Sequence, residues 1–240
     1  MGQRISEIKV DARPSPLAID PQKTAVIVVD MQYGFFGYGG AWDRIGVEVS
    51  GAQAIIAPTA RVLAAARGAG LPIVYLTMDF EGTRGNDLLW DAARGERWLA
   101  LAGAGESSSQ PRMLPPGVKN SDILAELAPA PADTVIRKPR HSGFYNTDLH
   151  ALLQERGITT LIFMGGTTSI CVESTLRDAY FRDYRCLLLT DCVAEPIGHR
   201  LPRTNHEATL LLVEVLFGWV TESEALTHVL TVEPSAASTR

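Results

Sequence analysis

The chain has 240 residues, 46% of them hydrophobic and 20% charged, with a net charge of −5 and a pI of about 5.6. That balance fits one large domain with a full core, and the lack of any Lys/Arg run argues against nucleic acid or a membrane surface as partner, leaving a small molecule or another subunit. Three cysteines without CxxC spacing argue against a disulfide framework, and no run is long and apolar enough for a membrane span or a signal peptide, so the expected compartment is the cytoplasm.

Residues 1–20 read as an N-terminal extension and residues 21–235 as one folded domain. TAVIVVD (24–30) is a short β-branched run of the kind buried on both faces of a parallel sheet, and it ends at Asp30. Residues 52–70 carry helical periodicity, with Pro58 as an irregularity and glycines at the end, and strand 73–78 follows directly. Residues 79–120 lack strand periodicity, and loops this long inside compact domains are functional or disordered. Strand 133–138, helix 146–157, strand 159–165, helix 171–183, strand 186–191, helix 203–217 and a capped segment 221–230 complete the chain. The alternation predicts an α/β fold: a single-domain, three-layer α/β/α arrangement around a doubly wound parallel sheet.

In open α/β sheets chemistry gathers where strands end at their carboxyl edge. Asp30 and Lys138 each end a strand, and Cys171 follows LIFMGG and a small-residue turn and opens the helical pattern VESTLRDAYFRD. Taken singly, Asp30 could cap the next segment, Lys138 could be a solvated strand end and Cys171 could be core. Together they make a coherent set of acid/base group, cation and nucleophile. A thiol in the first turn of a helix, near a lysine, is expected to have a lowered pKa, because both the helix N-terminus and the cation favour thiolate.

Three ordered segments, VVDMQ, RKPRHSGFYNTDL and GGTTSICVESTLRDA, resemble the signature segments of the isochorismatase-like cysteine hydrolases, and the likeness runs from about residue 20 to 230. Within that family the chain is most similar to ureidoacrylate amidohydrolases, through KPRHSGFYNT, CVESTLRD and FGWV, and to biuret hydrolases, through GFFGYGGAWDRIG and CLLLTDC. The resemblance implies an Asp30, Lys138, Cys171 triad and a non-proline cis peptide between Gly166 and Thr167, turning the amides of Thr167 and Cys171 toward one oxyanion. It implies an isochorismatase-like, Rossmann-like fold, a homodimer or homotetramer, and hydrolysis of a C–N bond in a small ureido or carbamoyl compound. In that mechanism Asp30 takes the thiol proton, the thiolate attacks the carbonyl carbon, a thioester-type intermediate forms as ammonia or an amine leaves, and Asp30 then activates water. No cofactor is expected.

Related nicotinamidases hold zinc with an Asp and closely spaced histidines, whereas His141, His150, His199, His206 and His228 form no HxH or HxxxH pair, so no metal is expected. For substrate binding, the aromatic segment after Asp30 offers Phe35 and Tyr38, and the end of strand 73–78 offers Met78 and Phe80. Arg84, with Trp90, Arg97 and Trp98, could meet a carboxylate or ureido group or lie at the surface; His141, Tyr145 and Glu214 are candidates by resemblance. His141 stands where the resemblance expects Tyr, and Tyr38 where biuret hydrolases carry Lys. Triuret, N-carbamoylsarcosine and maleamate therefore stay open as substrates beside ureidoacrylate and biuret. Two other classes are a vinyl-ether hydrolase of isochorismatase type, which has no need of the thiol, and a non-enzymatic flavodoxin-like scaffold, which leaves the three residues unexplained.

Overall fold

The structure, a computed structural model, describes residues 7–78, 97, 100, 101, 112–197 and 204–231. A two-stranded antiparallel hairpin, β1 (Ile8–Val10) and β2 (Leu17–Ile19), precedes six strands that form one wholly parallel sheet: β3 (Thr24–Val29), β4 (Ile73–Met78), β5 (Thr134–Lys138), β6 (Thr160–Gly166), β7 (Arg185–Ala194) and β8 (Trp219–Thr221). The sheet order is β5-β4-β3-β6-β7-β8. The chain first winds outward from β3 through β4 to β5, then returns to the other side of β3 as β6 and winds outward again. That reversal is the doubly wound arrangement, and it opens a crevice beyond the carboxyl ends of β3 and β6.

Every residue of β3 is buried, and the two faces of the strand feed separate cores. Val26 and Val28 pack with Ile73, Tyr75, Ile162 and Met164 on one face; Ala25, Ile27 and Val29 pack with Val74, Leu76, Leu161 and Phe163 on the other. A side-chain period of two in a strand covered on both sides explains why the sequence shows an unbroken apolar run rather than an alternation. Each fully buried Val, Leu or Ile stabilises by about 1.5–3 kcal/mol, so these central strands anchor the domain.

Two short helices, α1 (Tyr33–Phe36) and α2 (Ala41–Arg44), follow β3, and the long helix α3 (Ser50–Gly68) covers the first core with Ile55, Val62, Leu63 and Ala66. Helices α4 (Leu149–Glu155) and α5 (Glu173–Tyr180) cover the second with Leu149, Leu153, Leu176 and Ala179. Helices α6 (Asn205–Leu212), whose Thr204 and Glu207 form a reciprocal capping box, and α7 (Ser223–Thr231) complete the described residues. Among the described residues no helix is long and apolar enough to cross a membrane.

Three features depart from the sequence reading. Val10, Leu17 and Ile19 of the leading hairpin belong to the first core, and Arg13 exchanges two backbone hydrogen bonds with Val220 (2.9 and 3.0 Å), so part of the expected extension covers the β8 edge. The helix expected at 171–183 is a single π-helical turn, Thr168–Val172, leading into α5; that expected at 203–217 is α6 followed by a second such turn, Val213–Phe217. The strand expected at 186–191 runs from Arg185 to Ala194, and its pairing to β6 shifts register between Phe163 and Gly165.

Candidate active site

Asp30 is the residue at which β3 stops. Its backbone is left-handed (φ 50°), a conformation that Asp tolerates better than most side chains, and its N–H still donates to Leu76 O (2.9 Å). The chain thus turns sharply while the carboxylate stays under the crevice. Gln32, two residues on, ties the turn to its neighbours: Nε2 donates to Met78 O (2.8 Å) and Ser121 O (2.9 Å), and Oε1 accepts from the Met78 N–H (2.8 Å). Gln32 is wholly buried, so these bonds fix the ends of β3 and β4 together.

Lys138 ends β5, two strands from β3, and its stem reaches across the end of β4 to set Nζ 2.7 Å from Asp30 Oδ2. Both residues are 1% exposed. The ammonium also donates to Arg140 O (3.2 Å). Burial pushes the Asp30 carboxyl above its ordinary value, and the Lys138 charge, its chief opponent, only partly offsets this. Burial also works against the Lys138 charge, but there the Asp30 carboxylate prevails and holds the ammonium charged.

Cys171 comes from the switch-point partner of β3. At the end of β6, Gly165 has φ 113°, and a Cβ there would stand 2.1 Å from Val29 O, so only glycine lets the two strands approach. A Cβ on Gly166 would meet the Phe36 ring at 2.2 Å. The Gly166–Thr167 peptide bond is cis. The π-helical turn then carries Cys171, and Glu195 at the end of β7 braces it: Oε2 accepts from Ser169 N (2.9 Å) and Ser169 Oγ (2.5 Å). Thr175 binds the turn to the Lys138 segment, donating to Cys171 O (2.7 Å) and accepting from Gly143 N (3.0 Å).

The expected lowering of the thiol pKa is not what the structure gives. Cys171 is 6% exposed, and burial first, then the negative charge of Asp30, push its thiol above the ordinary range, outweighing Lys138. The sequence placed the thiol near a helix start and a lysine, but could not show that the residue is desolvated or that Lys138 is already engaged by Asp30. The resting pair is accordingly a neutral thiol beside a carboxylate, and attack requires a proton transfer at the moment of reaction.

These residues floor a cavity of about 200 Å³ lined by Asp30, Phe35, Trp42, Met78, His141, Gly166, Thr167, Ile170 and Cys171. His141 is exposed overall, yet its Nδ1 stands 3.6 Å from Cys171 Sγ. Burial of the ring and the neighbouring Lys138 charge hold its pKa below the ordinary value, so the imidazole is neutral at pH 7. Trp42 and Ile170 line the cavity; both lie in quoted segments but were not singled out, and Trp42 packs edge-on against Phe35 at 4.8 Å between ring centroids.

Other expected residues lie elsewhere. Tyr38 lies beyond the end of α1 at Phe36 and is exposed, with the Arg112 guanidinium 3.9 Å above its ring. Tyr145 is exposed beside the buried Phe144. Glu214 lies outside this cavity, 3.4 Å from Arg13, because the neighbouring Val213 is the residue that the turn buries. Arg97 is exposed, and Phe80, Arg84, Trp90, Trp98 and His199 fall outside the described residues. His150 bonds to the Tyr184 hydroxyl and His206 to Thr168, each at 3.0 Å, and no cluster of three potential ligands occurs among the described residues.

The same arrangement of strands and motifs occurs in known proteins. The profile of the isochorismatase domain matches residues 24–225. The ureidoacrylate amidohydrolase RutB of Methylobacterium radiotolerans is 38% identical over 245 residues, covering 96% of this chain and 88% of that one, and RutB of Serratia proteamaculans is 35% identical over 228 residues, covering 93% and 89%. A cysteine hydrolase from Pseudomonas syringae pv. phaseolicola superposes with a TM-score of 0.68 at 26% identity, covering 95% of this chain and 98% of that one. N-carbamoylsarcosine amidase from Thermoplasma acidophilum superposes with a TM-score of 0.59 at 26% identity, covering 84% and 97%. The chain belongs to the isochorismatase domain family of hydrolases.

Proposed function

We propose that this protein is a cysteine amidohydrolase that cleaves a C–N bond of a small ureido or carbamoyl compound and releases ammonia. The observation that carries the reading is a buried carboxylate, held by a buried ammonium, beside a thiol at the floor of a small cavity. Relatives named ureidoacrylate amidohydrolase, aligned over nearly the whole chain, support the bond type. Ureidoacrylate, biuret and triuret are the substrates proposed first, with N-carbamoylsarcosine and maleamate behind them.

In the proposed route the substrate carbonyl lies over Cys171 Sγ with its oxygen toward the backbone of Thr167 and Cys171. Asp30 accepts the thiol proton as sulfur attacks carbon. The raised pKa of Asp30 suits this task, because it makes the carboxylate a stronger base than an ordinary one. Lys138 remains charged throughout and balances the negative charge that passes from carboxylate to thiolate to oxyanion. Backbone donors aimed at that oxyanion contribute about 3–4 kcal/mol each. Asp30 returns its proton to the departing nitrogen, the C–N bond breaks, and ammonia leaves a thioester-type acyl enzyme on Cys171.

Every proton and charge in this half-reaction is handled by Asp30, Lys138 and Cys171, so the route calls for no metal. On the same reading the protein is cytoplasmic and a homodimer or homotetramer; exposed Tyr180, Phe181, Val215 and Leu216 surround one surface cavity that a second copy would cover. The test is ammonia release from ureidoacrylate, biuret, triuret, N-carbamoylsarcosine, maleamate and nicotinamide, with and without EDTA. EDTA-insensitive ammonia from a ureido compound is expected. Release from nicotinamide alone, or release abolished by EDTA, contradicts the reading.

A further inference from the structure

We propose that His141 is the base of the second half-reaction, activating the water that hydrolyses the acyl enzyme and returning its proton to Cys171. The inference rests on the thioester route above and divides the proton transfers between two groups instead of assigning both to Asp30.

Three observations lead there. First, His141 lines the cavity with Cys171, and its Nδ1 is within 3.6 Å of the sulfur, so it touches the reacting atom. Second, the two candidate bases differ in access. Asp30 lines the same cavity but is 1% exposed and paired at 2.7 Å with an ammonium that is itself out of solvent, whereas His141 is exposed. Once ammonia has left, the attacking water enters from the cavity, where His141 stands. Third, the groups facing the imidazole are Lys138 and Arg140 from its own segment, Asp30 from the end of β3 and Cys171 from the turn after β6. Burial of part of the ring, then the Lys138 and Arg140 charges, disfavour the imidazolium, so the ring is neutral and free to accept a proton at neutral pH.

With the ring proton on Nε2, Nδ1 accepts a proton from water as the water oxygen bonds to the thioester carbon. The tetrahedral species collapses, the C–S bond breaks, and the electron pair returns to sulfur. The imidazolium then gives the same proton to the thiolate across the Sγ contact already present in the resting site. The acid product leaves, and the cysteine is again a thiol and the histidine neutral. No other reactant is needed.

The experiment measures first-turnover and steady-state ammonia from ureidoacrylate, and in parallel from biuret, together with the intact mass of the quenched enzyme. Wild type is compared with His141→Gln, His141→Asn, His141→Ala and Cys171→Ala, each checked for native circular dichroism. For the histidine variants we expect a burst of one ammonia per active site, an acyl adduct on the Cys171 peptide, and steady turnover lower by about 100-fold or more. Added imidazole should restore turnover to His141→Ala. Steady turnover within roughly threefold of wild type and no adduct overturns the proposal, because loss of a general base costs far more. A burst lost together with the steady rate also overturns it, since His141 would then act before the thioester forms. Ammonia release by Cys171→Ala at the wild-type rate is a different failure, which removes the thioester route itself.

Discussion

The carboxyl edge of the sheet and the body of β7 each hold buried cysteine, and the contrast between them is what the proposed reading uses to single out Cys171 as nucleophile. Cys171, Cys186 and Cys192 are all free and buried, and burial raises the pKa of each, to about 12 for Cys186 and Cys192. Neither burial nor acidity separates them. Cys186 Sγ faces the carbonyls of Tyr184 (3.5 Å) and Leu176 (3.7 Å) inside the second core, and Cys192 faces Asp191 Oδ1 (3.8 Å). Cys171 differs in lining a cavity and in having a desolvated carboxylate and an imidazole against its sulfur. On the proposed reading, reactivity at Cys171 follows from a desolvated base in contact and a way in for the substrate, not from a thiol stored as thiolate.

Removing the base tests this hardest. Asp30→Asn should reduce turnover by about 10²–10⁴-fold, and because it leaves Lys138 buried without a counter-charge it should also cost about 3–5 kcal/mol in urea unfolding. An active Asp30→Asn enzyme would break the contrast with β7. The pH profile sharpens it: Asp30 must be ionised to accept the thiol proton, its pKa is raised by burial, and turnover should therefore fall as pH drops through a value above the ordinary 3.8. An acid limb at or below that value would mean that the carboxylate is not desolvated as described.

A smaller effect is expected at Gln32. Gln32→Leu removes three hydrogen bonds and leaves the Met78 carbonyl and N–H without partners, at about 1–3 kcal/mol for each group left unsatisfied, with turnover falling as the ends of β3 and β4 lose register. Stability and activity unchanged in Gln32→Leu would show that the edge is held by the sheet alone. The smallest effect belongs to Arg67, whose pair with Asp133 (2.6 Å) lies away from the cavity and is partly open to solvent. Arg67→Ala should cost about 0.2–1 kcal/mol and leave turnover unaltered.

The parallel strands were legible because burial on both faces leaves an unbroken apolar run, as in TAVIVVD, and the placing of Asp30, Lys138 and Cys171 followed from the strands that they end or follow. The leading hairpin was not, since three-residue strands such as Ile8–Val10 carry too little periodicity to register. Gln32 stood in a quoted segment without a role, because its partners are 46 and 89 residues away. Tyr38 and Glu214 show the converse: position near a motif did not foretell where the turn after a short helix or a π-helical turn would carry them. The thiol pKa was misjudged for a similar reason, since sequence displays the charges around Cys171 but not its desolvation.

The most direct measurement is ammonia release from ureidoacrylate and biuret by Cys171→Ala, Cys186→Ala and Cys192→Ala in parallel, each normalised to folded protein. The account predicts that turnover vanishes in Cys171→Ala and persists in the other two. Persistent turnover in Cys171→Ala, or its loss in folded Cys186→Ala or Cys192→Ala, would contradict it.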